Sequence, residues 1–121
     1  MQTDEKKIHD RQGAVEKSIR YVDTHFHDAD LTLELLAKQC FLSKNYFALL
    51  FEKQTGYKFK QYIQNKRIVL ACELLRSTDC PVSRVLVQCG YRDNKHFYST
   101  FKRIVGMTPS EYRAEVRNSK R

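Results

Sequence analysis

The sequence predicts an all-α fold of about seven helices, in which two helix-turn-helix units are joined by a long linker helix. Apolar residues recur at helical spacing along most of the chain, whereas no stretch alternates at period two for long enough to indicate a strand. The second half of the sequence also repeats the first. A length of 121 residues suits one ordinary domain or two very small units, and it excludes a large two-domain enzyme.

The first unit is predicted over residues 14–56, after a polar segment, residues 1–13, that is typical of a linker or a solvated tail. Helical spacing begins at Ala14, and the apolar positions that follow are Val15, Ile19, Val22 and Phe26. These positions recur every three or four residues, so they share one face of a first helix.

Capping side chains mark the other helices of this unit. Thr32 or Asp30 is expected to cap a short second helix, and Ser43 is expected to cap a third. The third helix carries the apolar stripe Phe47, Leu50 and Phe51. Gly56 is expected to end it, because glycine adopts the left-handed conformation that closes many helices.

The linker is predicted over residues 57–78, within which a helix without glycine or proline runs from 58 to 77. The second unit follows over residues 79–117, and a basic tail over 118–121. The short helix of the second unit is expected to end near Gly90. Asp93 is expected to cap the next helix, which ends at Gly106. Thr108 and Glu111 have the spacing of a capping box, with Pro109 at the first position of the last helix.

The repeat is the strongest signal in the sequence. A shift of 50 residues places one copy on the other at four pairs: Phe47 and Phe97, Phe51 and Phe101, Gly56 and Gly106, Tyr62 and Tyr112. A shift of 49 aligns Cys40 with Cys89, so the second copy has one extra residue in its turn. A linker helix of 20 residues would span about 30 Å, close to the roughly 34 Å between successive turns on one face of DNA.

The charge is positive and uneven. The formal net charge is +8. Residues 1–30 contain five basic and seven acidic side chains, whereas residues 81–121 contain nine basic and three acidic side chains. This distribution favours a polyanionic partner, with nucleic acid ahead of an acidic membrane surface. A soluble protein that is merely basic is the alternative on composition alone.

The cysteines and histidines show no ligand spacing. Cys40, Cys72, Cys80 and Cys89 contain no C-x-x-C pair, and the four histidines form no cluster. We therefore expect reduced cytosolic thiols, no metal site and no cofactor. No apolar run is long enough to span a bilayer.

The residues of the second unit resemble the AraC/XylS family of bacterial transcription regulators. The string from Val82 to Arg113 carries the motif of that family in Gly90-Tyr91, Phe97, Phe101-Lys102, Gly106, Thr108-Pro109 and Tyr112-Arg113. The first unit matches at Leu36-Ala37, Ser43, Tyr46-Phe47, Phe51 and Gly56. The resemblance covers about residues 15–116 and is closest to the subgroup found on sensor and two-component regulators.

This resemblance implies homeodomain-like three-helical units and sequence-specific binding to double-stranded DNA. It also implies an activator that recruits RNA polymerase in the bacterial cytoplasm, bound to the nucleoid. Family members usually carry a separate sensor or receiver domain, so we expect this chain to be the isolated C-terminal DNA-binding part. The recognition helices would be about residues 43–54 and 93–105, entering adjacent major grooves.

Helix geometry then assigns the candidate DNA contacts, because residues opposite the apolar stripe face outward. The expected base contacts are Asn45, Ala48, Leu49, Asn94, Lys95, Tyr98 and Ser99. The expected phosphate contacts are Ser43, Lys44, Lys53, Arg92, His96, Lys102 and Arg103. The aromatic residues expected in the core instead are Phe41, Phe47, Phe51, Tyr91, Phe97 and Phe101.

The sequence departs from the family at several of these positions. Many relatives have arginine where this chain has Leu49 and Ser99, and Glu52 stands where lysine is common. Phe41 replaces a frequent turn glycine. We therefore expect the second unit to dominate non-specific affinity for DNA.

Two other functions compete with DNA binding. An enzyme is not supported, because no clustered carboxylates, nucleophile motif or phosphate loop occurs. A helical protein-interaction module, contacting polymerase or a partner regulator, would bind without the steep salt dependence of phosphate contacts.

Overall fold

A computed structural model describes residues 2–119, with side chains described from residue 10, and it contains no strand over that range. Its seven helices confirm the predicted fold class. They are α1 (Gln2–His25), α2 (Leu33–Gln39), α3 (Lys44–Thr55), α4 (Phe59–Ser77), α5 (Val82–Gln88), α6 (Asn94–Val105) and α7 (Pro109–Ser119). The last two residues of the predicted basic tail lie outside the described residues.

α1 begins well before the predicted start at Ala14. Residues 2–13 are helical, so the expectation that helix begins only at Ala14 is wrong. The apolar period detects a face that will be buried, whereas this segment is mostly polar; half of its residues are glutamate, lysine, glutamine and arginine, which favour helix without a buried face. Gly13 lies inside this helix, and nothing lies within 4 Å of the place its Cβ would occupy, so no close approach requires glycine there.

The predicted caps are all present. Thr32 Oγ1 accepts from the Leu35 amide at 3.1 Å, and Ser43 Oγ from the Tyr46 amide at 3.2 Å. Asp93 Oδ1 accepts from the Lys95 amide at 3.0 Å. Thr108 and Glu111 form the reciprocal capping box, with both amide-to-side-chain distances 3.2 Å. Gly56 and Gly106 end α3 and α6 in the left-handed conformation, with φ of 83° and 94°.

The chain forms two compact units. The first contains residues up to 25 and residues 30–63, and the second contains residues 26–29 and those from 64 onward. α4 is shared, because its first turn belongs to the first unit and the remainder to the second. The turn between α2 and α3 has four residues, 40–43, whereas that between α5 and α6 has five, 89–93, which confirms the extra residue.

Each unit has its own aromatic core. The buried apolar residues of the first unit are Val15, Val22, Leu31, Leu36, Ala37, Phe47, Leu50, Phe51 and Ile63. Those of the second are Ile68, Ala71, Leu75, Val85, Leu86, Cys89, Tyr91, Phe97 and Phe101. Phe51 packs edge-on against Tyr62, and Phe101 packs edge-on against Tyr112. The repeat therefore extends from sequence to packing.

The second residue of each turn, Phe41 in the first and Gly90 in the second, has the same backbone conformation but different surroundings. Both have positive φ, 57° for Phe41 and 99° for Gly90. Phe41 is 97% exposed, so the expectation that it belongs to the core is wrong. The left-handed backbone conformation of Phe41 in this four-residue turn directs its phenyl ring into solvent. At Gly90, in contrast, a Cβ would lie 2.9 Å from both Arg67 Nε and His27 O.

Candidate nucleic-acid interface

α3 and α6 bury side chains at equivalent positions and therefore expose equivalent faces. Phe47, Leu50 and Phe51 are buried on α3, and Phe97, Thr100 and Phe101 occupy the equivalent face of α6. The opposite faces expose Asn45, Leu49 and Glu52 on α3, and Lys95, Ser99 and Lys102 on α6. The spacing of i, i+4 and i+7 places each set of three on one side of its helix.

Five of the seven residues expected to contact bases are exposed. They are Asn45, Leu49, Asn94, Lys95 and Ser99. Leu49 is 61% exposed, so its side chain is accessible for contact with an apolar base edge. Ala48 and Tyr98 are half-buried.

Ala48 and Tyr98 occupy equivalent positions but have different surroundings. The Tyr98 ring packs edge-on against Phe97, with a centroid distance of 5.9 Å, and contacts the apolar cluster of its unit. Ala48 instead lines an open groove of about 630 Å³, together with Leu31, Leu33, Phe59 and Ile63. The ring of Tyr98 is thus partly committed to packing, which restricts the surface it presents.

The expected phosphate contacts of the first unit have intramolecular partners in two of three cases. Ser43 uses an oxygen lone pair to cap α3, which leaves its hydroxyl proton available to donate. Lys44 Nζ lies 2.8 Å from Glu34 Oε1, and the hydrogen bond from Lys44 lowers the pKa of Glu34. Lys53 is exposed in the last turn of α3.

The second unit carries more exposed cationic groups. Arg92, Lys102 and Arg103 are exposed, and Arg103 Nη2 donates to Gln64 Oε1 at 2.8 Å. His96 is exposed and packs edge-on against Tyr91, with a centroid distance of 5.4 Å. All seven residues expected to contact phosphate therefore lie on the surface.

Arg67 is a positioning residue that the sequence interpretation missed. Its Nε donates to Phe26 O at 2.7 Å and its Nη2 to Asp28 O at 3.0 Å. Its guanidinium carbon lies 5.6 Å from the centroid of Tyr91, and burial lowers its pKa. Arg67 thus supports the turn that carries Arg92 and the cap Asp93. The available signal was position: Arg67 lies four residues after Ile63 and four before Ala71, which places a charged residue on a face of α4 that is buried at both positions.

The described residues show no constellation for metal or thiol chemistry. Among them, no group of three or more His, Cys, Asp or Glu side chains is placed to hold a metal ion. The four cysteines are free, and burial raises the pKa of Cys89 to about 12. No helix within the described range has the length and apolar character needed to cross a membrane.

Comparison with known proteins places this arrangement among DNA-binding domains. A family model described as a helix-turn-helix domain matches residues 36–115. The MmsAB operon regulatory protein of Pseudomonas aeruginosa is 40% identical over 97 residues, which are 80% of this chain and 31% of that protein. The chain spans a third or less of the length of the first curated relatives it matches.

Two solved structures share the fold over most of the chain. The C-terminal domain of AraT, a response regulator from Geobacillus stearothermophilus, aligns with a TM-score of 0.80 at 30% identity, covering 84% of each chain. The DNA-binding domain of AdpA, a global transcriptional factor solved in complex with a target DNA, aligns with a TM-score of 0.81 at 28% identity. That alignment covers 87% of this chain and 94% of AdpA's.

Proposed function

This chain belongs to the AraC-type helix-turn-helix family, and from that premise we propose that it binds double-stranded DNA by sequence as the output domain of a bacterial transcription regulator. α3 and α6 are its two recognition helices, and each enters a major groove. The observation that carries the proposal is the matched pair of capped helices with polar outer faces, in a fold that AdpA uses on DNA.

The exposed residues of each helix indicate which bases they read. The Asn45 amide pairs with adenine, and the Lys95 ammonium donates to guanine. Leu49 contacts a thymine methyl group. Ser43, Lys53, Arg92, Lys102 and Arg103 hold phosphates and set the position of the helices without reading sequence.

The wider role follows from the relatives. As part of a regulator with a sensor or receiver domain, of the kind AraT suggests, the domain would act in the bacterial cytoplasm on nucleoid DNA. It would activate transcription by contacting RNA polymerase. The domain itself would perform no catalysis.

Selection from a randomised duplex library, followed by sequencing of bound DNA, tests the proposal. We expect two short motifs about 10–10.5 base pairs apart, one for each recognition helix. A single motif would mean that only one helix reads sequence. No enrichment from a folded sample would refute sequence-specific binding and favour a protein-interaction module.

Alanine substitutions on the selected site then separate the two helices. Lys95→Ala and Asn45→Ala should each cost about 1–3 kcal/mol of discrimination, at different motifs. Loss of binding that is uniform across all sequences would instead assign the substituted residue to phosphate contact.

A further inference from the structure

Resting on the proposed function, we infer that Glu34 and Glu52 weaken the hold of the first unit on the DNA backbone. Their carboxylates cancel positive charge at the DNA-facing surface of that unit. The second unit, whose motif carries one acidic residue, the cap Asp93, supplies most of the phosphate binding on any duplex.

Glu52 extends the base-reading face of α3. It follows Asn45 by seven residues and Leu49 by three, so all three share one side of the helix, and all three are exposed. Its equivalent in α6 is Lys102, which follows Lys95 in the same way. At matched positions of two recognition helices, one copy therefore presents a carboxylate to DNA and the other an ammonium.

Glu34 acts through Lys44. The 2.8 Å ion pair joins the first turn of α2 to the first turn of α3, with both side chains more than half exposed. An exposed pair of this kind adds little to stability, but a Lys44 ammonium that contacts Glu34 is a weaker partner for phosphate. The equivalents in the second unit are Ser83 and Asn94, which cannot form such a pair.

The charge census of the two motifs agrees with this assignment. From Leu33 to Thr55 there are three basic and two acidic residues. From Val82 to Val105 there are five basic and one acidic, and that one, Asp93, caps α6. The acidic residues of the first motif are those that lie on or beside its outer face.

Salt dependence converts this difference into a measurable quantity. Each phosphate neutralised by a protein cation adds about 0.9 to the slope of log affinity against log salt. Over a fourfold range of salt, one such contact corresponds to about 3.5-fold in affinity. A unit whose lysine is held by Glu34 lacks that contribution on every sequence, specific or not.

The experiment compares the wild-type chain with Glu52→Gln, Glu34→Gln and the control Glu115→Gln. Glu115 is exposed on α7 outside both motifs, so this control makes the same charge change. Dissociation constants are measured by fluorescence anisotropy for the selected duplex and for a scrambled duplex from 50 to 200 mM salt. Circular dichroism confirms that every variant is folded.

We expect Glu34→Gln and Glu52→Gln each to tighten binding to both the scrambled and the selected duplex by about threefold at low salt, because phosphate contacts carry no sequence information. Glu34→Gln should also steepen the salt slope by about 0.9 on both duplexes. The ratio of specific to non-specific affinity therefore stays constant, and Glu115→Gln changes neither dissociation constant. No gain in Glu34→Gln and Glu52→Gln, or an equal gain in all three variants, would overturn the inference.

A double-mutant cycle isolates the ion pair. Lys44→Gln should weaken scrambled-DNA binding more in the Glu34→Gln background than in the wild-type chain, because only there is Lys44 available to phosphate. An equal effect in both backgrounds would refute the role of Glu34. A wild-type chain that binds neither duplex at low salt would overturn the proposed function itself, which is a different result from normal binding with unresponsive variants.

Discussion

Replacement of Gly90 by alanine should destabilise the second unit more than replacement of any other left-handed glycine in the chain. Gly90 and Gly106 have nearly the same φ, 99° and 94°, so alanine incurs the same backbone strain at both. Left-handed backbone costs a non-glycine residue about 1–2 kcal/mol, and the smaller entropy loss of alanine on folding returns roughly 0.5–1 kcal/mol. Gly106→Ala should therefore cost about 1 kcal/mol.

Gly90→Ala adds a steric conflict that Gly106→Ala lacks. A Cβ at residue 90 would lie 2.9 Å from His27 O and 2.9 Å from Arg67 Nε, whereas nothing lies within 4 Å at residue 106. His27 O is backbone and cannot rotate away, and displacing Arg67 breaks its hydrogen bond to Phe26 O. A hydrogen bond to a charged group contributes about 1.5–3 kcal/mol, so the total for Gly90→Ala is about 3 kcal/mol.

Urea unfolding of the two variants measures this difference. Far-ultraviolet circular dichroism and tyrosine fluorescence serve as probes, since the chain has seven tyrosines and no tryptophan. Coincident transitions would justify a two-state analysis, and equal m-values would show that the denatured states are comparable. If Gly90→Ala costs no more than Gly106→Ala, the close approach of the 26–29 segment to the second turn is not what requires glycine.

Further perturbations test three other residues, Phe41, Ser43 and Cys89. Phe41→Gly should leave the free energy of unfolding unchanged or raise it by up to about 1 kcal/mol, because no buried area is lost and backbone strain is relieved. A clear decrease in the free energy of unfolding, measured in urea, would mean that the Phe41 ring is packed. Ser43→Ala should lower stability by about 1 kcal/mol through loss of the cap on the Tyr46 amide, and Ser43→Asp should restore stability while weakening DNA binding by repelling phosphate; thermal unfolding and anisotropy separate the two effects. Cys89, whose pKa burial raises to about 12, should resist iodoacetamide at pH 8 until the protein unfolds, as peptide mass spectrometry would show. Its raised pKa also means that its contribution to stability is complete below pH 9 and declines from pH 9 towards 12.

Helix ends were predictable wherever a side chain or a glycine determines them locally. Thr32, Ser43 and Asp93 each cap the helix that follows, and Gly56 and Gly106 each end one. These signals depend on hydrogen bonds within three residues or on one φ angle, so the sequence contains all the information that they need.

Features that depend on distant residues were not predictable from local patterns. Phe41 is aromatic and follows an apolar helix, which favours a core position, yet its exposure results from the conformation of a four-residue turn. Arg67 looks like an ordinary helix charge until its acceptors, Phe26 O and Asp28 O, are brought beside it. The extension of α1 over residues 2–13 was missed because a polar helix has no apolar period.

The candidate site was predictable in outline for the same reason. Once the buried stripes are known, helical periodicity places Asn45, Leu49, Lys95 and Ser99 outside, as found. Helical periodicity cannot predict which residues of other elements each side chain contacts. The Lys44–Glu34 pair and the packing of Tyr98 both depend on contacts with another helix or with the core.

The sharing of α4 determines how this domain can be recombined with its relatives. Ile68, Ala71 and Leu75 lie in the core of the second unit, and Arg113 donates to Leu75 O near the end of the helix. A chimera spliced after residue 78 would therefore pair one protein's helix with another protein's core. To exchange the second unit as a working module, the donor segment must begin no later than residue 64, and residues 26–29, which carry the carbonyl partners of Arg67, must be transferred with it.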